Sequence, residues 1–274
     1  LRLIDRIYTG SPSRTHVTTG ACAEIATGAP LPAGADAVVM VEQTAEASPD
    51  AIRIFAVARP GQNIGRQAAD IAAGALVVRA ADVLTPSRIG ALAAVGCTDV
   101  VVYAKPRVAI LSTGNEVIAP GRPLAPGQIY DVNHFTLSAI VAAHGCEPEV
   151  HDSAQDTIED LSRALDRTAG ADVIVFSGGS SVGERDLLVD AIAARGEMLF
   201  HGIAVKPGKP TAFARVGHAA FFGMPGNPTS CLSNAYILLV PFLRATAHLP
   251  PHAPRTVRVP LARAIASTSG RHTF

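Results

Sequence analysis

Four sharp loops between residues 105 and 230, each at the end of an apolar run, constrain this chain more than any other feature. Ser112-Thr113-Gly114-Asn115-Glu116 follows Val108-Ala109-Ile110-Leu111, and Ser177-Gly178-Gly179-Ser180-Ser181 follows Val173-Ile174-Val175-Phe176. Lys206-Pro207-Gly208-Lys209-Pro210 follows Ile203-Ala204-Val205, and Met224-Pro225-Gly226-Asn227-Pro228 follows Ala219-Ala220-Phe221-Phe222. Helix-like segments separate the runs, which predicts an α/β fold with a mainly parallel sheet. Loops at the carboxyl ends of such strands form the ligand crevice. Small residues there let backbone N–H groups approach an anion. Two lysines and several carboxylates share these loops, so the pattern points to a phosphorylated substrate.

Residues 1–66 read as a β-rich domain, with Ala37–Val41 and Ile52–Val57 expected as strands and Gly28–Gly34 as a rigid loop. In residues 67–104 strands are expected at Ala75–Arg79 and Val100–Tyr103. Between them, Thr85-Pro86 signals a helix start and Gly96 its stop. Residues 105–250 form the α/β domain. Helices are expected near Asn133–Ala143 (closed by Gly145), Thr157–Arg167, Arg185–Arg195 (closed by Gly196) and onward from Pro228. Residues 251–274 begin a further β-rich segment, extended over Thr256–Pro260. The chain starts at Leu1 without Met and ends just after a Gly-Arg turn, so both ends read as cut from something longer.

Lys+Arg and Asp+Glu each number 23, giving a formal net charge of zero. No global field draws nucleic acid or an anionic membrane, and outside the Lys206/Lys209 loop the basic residues are scattered. No apolar stretch reaches the length of a membrane span, and no signal peptide is visible. Cys22, Cys97, Cys146 and Cys231 lack zinc-type spacing and read as buried free thiols in a reducing compartment. The nine histidines show no metal-ligand spacing.

Glu116 ends a tight turn after a strand, Asp156 lies just beyond another, and Asp186 lies near a helix start. Viewed singly, Asp156 and Asp186 read first as helix-start charges or N-caps, and only their shared edge of the sheet shifts the weight toward a site. Three carboxylates sharing one crevice would repel unless a cation neutralised them, and Mg²⁺ held by carboxylates and substrate phosphates is the usual solution. Lys206 and Lys209 flank Pro-Gly, which aims two ammonium groups from one short loop; a solvated basic turn is the alternative. Pro225-Gly226-Asn227-Pro228 opens a helix and is either an anion site or simple helix initiation. No Gly-x-Ser-x-Gly elbow and no Gly-Lys-Ser/Thr P-loop occurs.

Taken in order, Thr27–Pro32, Gly61-Gln62-Asn63-Ile64, Ser112–Glu116, Ser177-Gly178-Gly179, Lys206–Pro210 and Pro225–Pro228 resemble the molybdopterin molybdenumtransferases, the MoeA type that includes the E domain of gephyrin. The resemblance covers nearly the whole chain. It implies a β-rich domain, part of a small mixed α/β domain, a molybdopterin-binding α/β domain and the start of a C-terminal β domain. The implied reaction inserts molybdate into adenylylated molybdopterin and releases AMP, with Mg²⁺, in a cytoplasmic homodimer that receives its substrate from molybdopterin adenylyltransferase. The family's acidic positions fall on Glu116, Asp156, Asp186 and Asp70, the first three as metal ligands. Substrate contacts are implied for Thr27, Ser112, Thr113, Gly114, Ser177, Gly178, Gly179, Lys206, Lys209, Pro225, Gly226, Asn227 and Pro228, with Arg271 on molybdate. Asn115 stands where the family usually has Asp, and Gly65 and Ala68 replace its usual Arg and Gly. Two other readings stay open: a molybdopterin adenylyltransferase, which shares the α/β crevice, and a gephyrin-like scaffold module.

Overall fold

The computed structural model describes residues 1–114, 116–154, 157–178, 187–264 and 270–273. They fall into two compact units, Leu1–Arg79 and Ala80–Phe274.

The first unit is β-rich. Strands β1 (Arg2–Ile7), β2 (Ala21–Ile25), β3 (Thr44–Ser48) and β4 (Ala51–Ile54) form one sheet in the order β2-β1-β4-β3. β1 and β2 run parallel, while β3 and β4 form an antiparallel pair. The Asp5 carboxylate accepts from Thr15 Oγ1 at 2.6 Å and Ser13 Oγ at 2.8 Å, tying the long β1–β2 connection back onto β1. Those two hydroxyls hold its pKa below the usual carboxylate value.

The expected strand at Ala37–Val41 is not one. Val38 uses its N–H on Gln62 O and its carbonyl on Asn63 Nδ2, and Val41–Gln43 is a 3-10 turn. Of Ile52–Val57 only the part within β4 is strand. Ala75–Arg79, Val100–Tyr103 and Thr256–Pro260 join no ladder among the described residues. Apolar alternation creates a strand only where a partner supplies hydrogen bonds and a surface to pack on, and Val101 is fully exposed.

The second unit opens with α1 (Pro86–Ala94). Thr85 Oγ1 accepts from Arg88 N at its start, and at its end Cys97 N donates to Leu92 O and Gly96 N to Ala93 O. These are the paired bonds of a helix closed by a left-handed glycine. There follow β5 (Arg107–Ser112), the two-residue strands β6 (Val117–Ile118) and β7 (Ile129–Tyr130), α2 (Asn133–Ala143) and β8 (Glu147–Val150). Next come α3 (Ile158–Arg167), β9 (Val173–Ser177), α4 (Leu187–Ala193), β10 (Gly196–His201), β11 (Val205–Lys206), β12 (Ala212–Val216) and β13 (Ala219–Met224). The long last helix is α5 (Pro228–Asn234), a π turn (Ala235–Leu239) and α6 (Val240–Thr246), and β14 (His272–Thr273) ends the described chain. The π turn, in which Val240 N–H reaches back to Ala235 O, immediately precedes Pro241, which has no N–H to donate.

The central sheet has the order β10-β12-β13-β9-β5-β8. β13, β9, β5 and β8 are parallel; β12 and β10 add an antiparallel edge. That edge escapes sequence reading because one face of β12 buries only Ala212 and Ala214 and the other has Phe213 as its one bulky core contact, too little to mark an apolar stripe. Gly196 opens β10 instead of closing a helix: a Cβ there would collide with Arg215 O on β12.

In the parallel strands successive residues serve opposite faces, and both faces are buried, which explains the unbroken apolar runs. Val108, Ile110, Val173, Val175, Phe222 and Met224 pack against α2 and the last helix. Ala109, Leu111, Ile174, Phe176 and Phe221 pack against α3 and α4. The Phe176 and Phe221 rings are 5.4 Å apart. Phe221→Ala is expected to cost about 3–5 kcal/mol in urea unfolding, because a close-packed site cannot collapse onto the void.

At the end of α2, His144 Nδ1 lies 3.5 Å from Arg244 Nη1 and its ring meets His252 edge-on. Burial first, then the Arg244 and His252 charges, lower its pKa. The folded state thus binds a proton at His144 less readily than the unfolded chain. Its neutral form is no burden above the unfolded pKa of about 6.5, and stability falls as pH drops below that value. His144→Gln should therefore lose less stability than wild type between about pH 7 and about pH 5; parallel acid slopes would contradict this.

Candidate functional site

β5 has β8 on one side and β9 on the other. The chain leaves β5 through α2 to reach β8, then crosses back through α3 to β9, so the winding reverses between β5 and β9. At such a reversal the connections diverge and a crevice opens outside the carboxyl ends of the strands.

The two strands end level, Ser112 opposite Ser177. One more bond, Thr113 N to Ser177 O at 2.9 Å, holds the loops together before they part. Beyond it, Gly178 has φ +105°, and a Cβ there would strike Thr113 O. The close approach of the β5 and β9 loops therefore requires glycine. Gly178 N donates to Met224 O at 3.2 Å, which brings in the end of β13. Gly226 stands over Gly178: a Cβ on Gly226 would be 3.4 Å from Gly178 Cα.

Asn133 ties these ends from below. Its Nδ2 donates to Ser177 Oγ at 2.6 Å and to Gly226 O at 2.8 Å. Asp131 Oδ1 accepts from His134 N at 3.0 Å and fixes the start of α2 that carries Asn133. Asn227 Oδ1 caps α5 by accepting from Ser230 N at 3.1 Å, with Pro228 at the first helical position.

The lysine loop reaches the same sheet edge by a different route. β12 is antiparallel to β13, and Ala212 at its start pairs with Gly223 near the end of β13. Thr211, the residue before β12, is therefore level with the Pro225–Asn227 loop, and Lys206–Pro210 precedes it. β11 pairs in parallel with β14, Lys206 opposite Thr273, which sets Arg271 beside the strand that starts this loop. Lys206, Lys209 and Arg271 are exposed.

Glu116 is exposed in the turn after β5, where its carboxylate oxygens lie 2.8 and 2.9 Å from the place a Gly114 Cβ would take. Ser112 Oγ and Thr113 Oγ1 are buried without a hydrogen-bond partner. An unpaired buried hydroxyl costs about 1–3 kcal/mol, so two at the head of one strand mark a place prepared for something polar. Cys231 lies in the core below; burial pushes its thiol up to about 12 against a hydrogen bond with Ser177, which keeps it protonated and unreactive near neutral pH.

The remaining sequence-derived positions lie elsewhere. Gly179, Asp156 and Asp186 fall outside the described residues, as does Asn115. Thr27 and Asp70 are exposed in turns of the first unit. Ala68 has φ +65°, so it adopts the left-handed conformation that suits the glycine usual there. A cavity of about 960 Å³ lies wholly in the first unit, lined among others by Leu3, His16, Cys22 and Thr44. None of the expected site residues lines it. Among the described residues no three His, Cys, Asp or Glu side chains gather as a metal-binding group.

Sequence reasoning missed Asn133, Thr211 and Asn234. The Asp131-Val132-Asn133 cluster before a helix was a legible signal for an ordered start. Asn234, inside an apolar helix, gave none.

Residues 109–245 match the family described as a probable molybdopterin binding domain, and residues 3–96 match the MoeA N-terminal region (domain I and II). The molybdopterin molybdenumtransferase of Haemophilus influenzae is 35% identical over 244 residues, covering 89% of this chain and 60% of the relative. Molybdopterin molybdenumtransferase 2 of Mycobacterium tuberculosis is 37% identical over 258 residues, covering 91% and 63%. A crystal structure of the molybdopterin biosynthesis MoeA protein from Pyrococcus horikosii superposes with a TM-score of 0.69 at 38% identity, covering 90% of this chain and 62% of that one. The chain thus spans about three fifths of the length of the relatives it matches. By its domains, its fold and these similarities, the chain belongs to the MoeA-type family of molybdopterin-binding proteins.

Proposed function

We propose that this chain carries the substrate crevice of an enzyme that inserts molybdate into adenylylated molybdopterin and releases AMP. The observation that supports it most is the pair of buried, unpartnered hydroxyls of Ser112 and Thr113 at the β5–β9 switch point. Around them lie small-residue loops that admit a phosphate and, on the same sheet edge, the Lys206–Lys209 loop. Lys206 and Lys209 hold the substrate's anionic groups, and Arg271 holds molybdate. Ser112 and Thr113 take up polar groups of the substrate, and Asn133 keeps the two loops in register around it.

The exposed Glu116 carboxylate fits Mg²⁺ as one hard oxygen donor, with Asp156 and Asp186 as the others this reading calls for. Mg²⁺, when bound, would offset the negative charge that builds up as the adenylate is cleaved. Thr27 and Asp70 complete the site from a second copy in a cytoplasmic homodimer, and the substrate is handed over by molybdopterin adenylyltransferase. No helix among the described residues is long and apolar enough to cross a membrane.

Lys209→Ala should weaken binding of adenylylated molybdopterin roughly ten- to a hundredfold with unchanged unfolding, the worth of one charge-assisted contact. Equal affinity would return the loop to an ordinary surface turn. Glu116→Gln in the full-length protein should fold and bind the substrate yet lose most Mg²⁺-dependent AMP release in a single turnover. A wild-type rate and Mg²⁺ midpoint would remove Glu116 from the reaction.

A further inference from the structure

Asn234, at the end of α5, is fully buried, and its amide lies flat against the turn between the two lysines. Its Nδ2 donates to Gly208 O at 2.8 Å and to Thr211 Oγ1 at 2.6 Å, while Thr211 Oγ1 donates to Gly208 O at 3.0 Å. Gly208 has φ +102°, and a Cβ there would overlap the Asn234 amide. The Gly208 carbonyl is thus fixed by two donors. That fixes the peptide plane leading into Lys209, whose own carbonyl accepts from Ile203 N and Thr211 N, both at 2.9 Å. The loop is clamped through two backbone carbonyls, each accepting two hydrogen bonds.

The clamp sets one amide end against another demand. Turning the amide over would face Asn234 Oδ1 against Gly208 O, so the donors must point at the loop. Oδ1 is then left buried without a partner. A side chain chosen only for packing would avoid that orphan acceptor; leucine has the same branching with no polar atom. The residue present instead keeps the two donors that orient the loop.

We propose that Asn234 is a positioning residue for the lysine loop, holding Lys206 and Lys209 in the geometry that binds the substrate's anionic groups; this rests on the function proposed above. A preorganised loop binds an anion without first having to order itself. In folded Asn234→Leu, amide hydrogen exchange at Ile203 and Thr211 should accelerate about tenfold or more. In that background Lys209→Ala should weaken binding of adenylylated molybdopterin by no more than about threefold, because the two residues act as one unit.

Unchanged exchange at Ile203 and Thr211 would overturn the proposal, and so would a full ten- to hundredfold effect of Lys209→Ala in the Asn234→Leu background. If Asn234→Leu does not fold, Asn234→Ala removes the same two donors without added bulk, and the same two readouts decide. Should wild-type protein fail to bind adenylylated molybdopterin, the proposed function falls, while the exchange measurement still decides whether Asn234 holds the loop.

Discussion

The pairing of β5 with β9 is the constraint on which the second unit depends. It places Val108–Leu111 beside Val173–Phe176 with every residue buried, so both faces of the sheet need a helical layer. It also sets Ser112 level with Ser177, which puts the two loops within one hydrogen bond of each other. Because β8 lies on the far side of β5, the connections then diverge. The close-packed core and the open crevice are consequences of one strand order.

What the crevice costs is visible in the same place. Ser112 Oγ, Thr113 Oγ1 and Asn234 Oδ1 are buried acceptors without donors, and all three lie at or next to the loops that line the sheet edge. In a chain selected for stability alone such atoms would be paired or replaced. The two hydroxyls stand at the proposed site, whereas the Asn234 acceptor is the cost of aiming its amide donors at the lysine loop.

Much of this was legible in the sequence, for a physical reason. Parallel strands buried on both faces leave unbroken apolar runs such as Val173–Phe176, and helix ends leave Thr85-Pro86, Gly96 and Gly145. These are local signals. The loops after β5, β9 and β13 could be named for the same reason, since each joins an apolar run to a turn. Non-local demands were not legible. Val38 and Val101 have the composition of strand residues but no ladder, and Ala212 and Ala214 face the core without apolar bulk. Asn133 and Asn234 act through partners 44 and 26 residues away, and Thr211 accepts from Asn234, 23 residues away. Single polar residues on or beside helices and strands do not announce such contacts.

On the proposed function, the substrate's anionic groups sit at the β5–β9 switch point. The most direct test is electron density from crystals of the full-length protein soaked with adenylylated molybdopterin. Substrate density is expected against Ser112–Gly114, Gly178 and Pro225–Asn227, with a phosphate within hydrogen-bond reach of Lys206 or Lys209. Ordered substrate confined to the cavity of the first unit, with these loops bare, would contradict it.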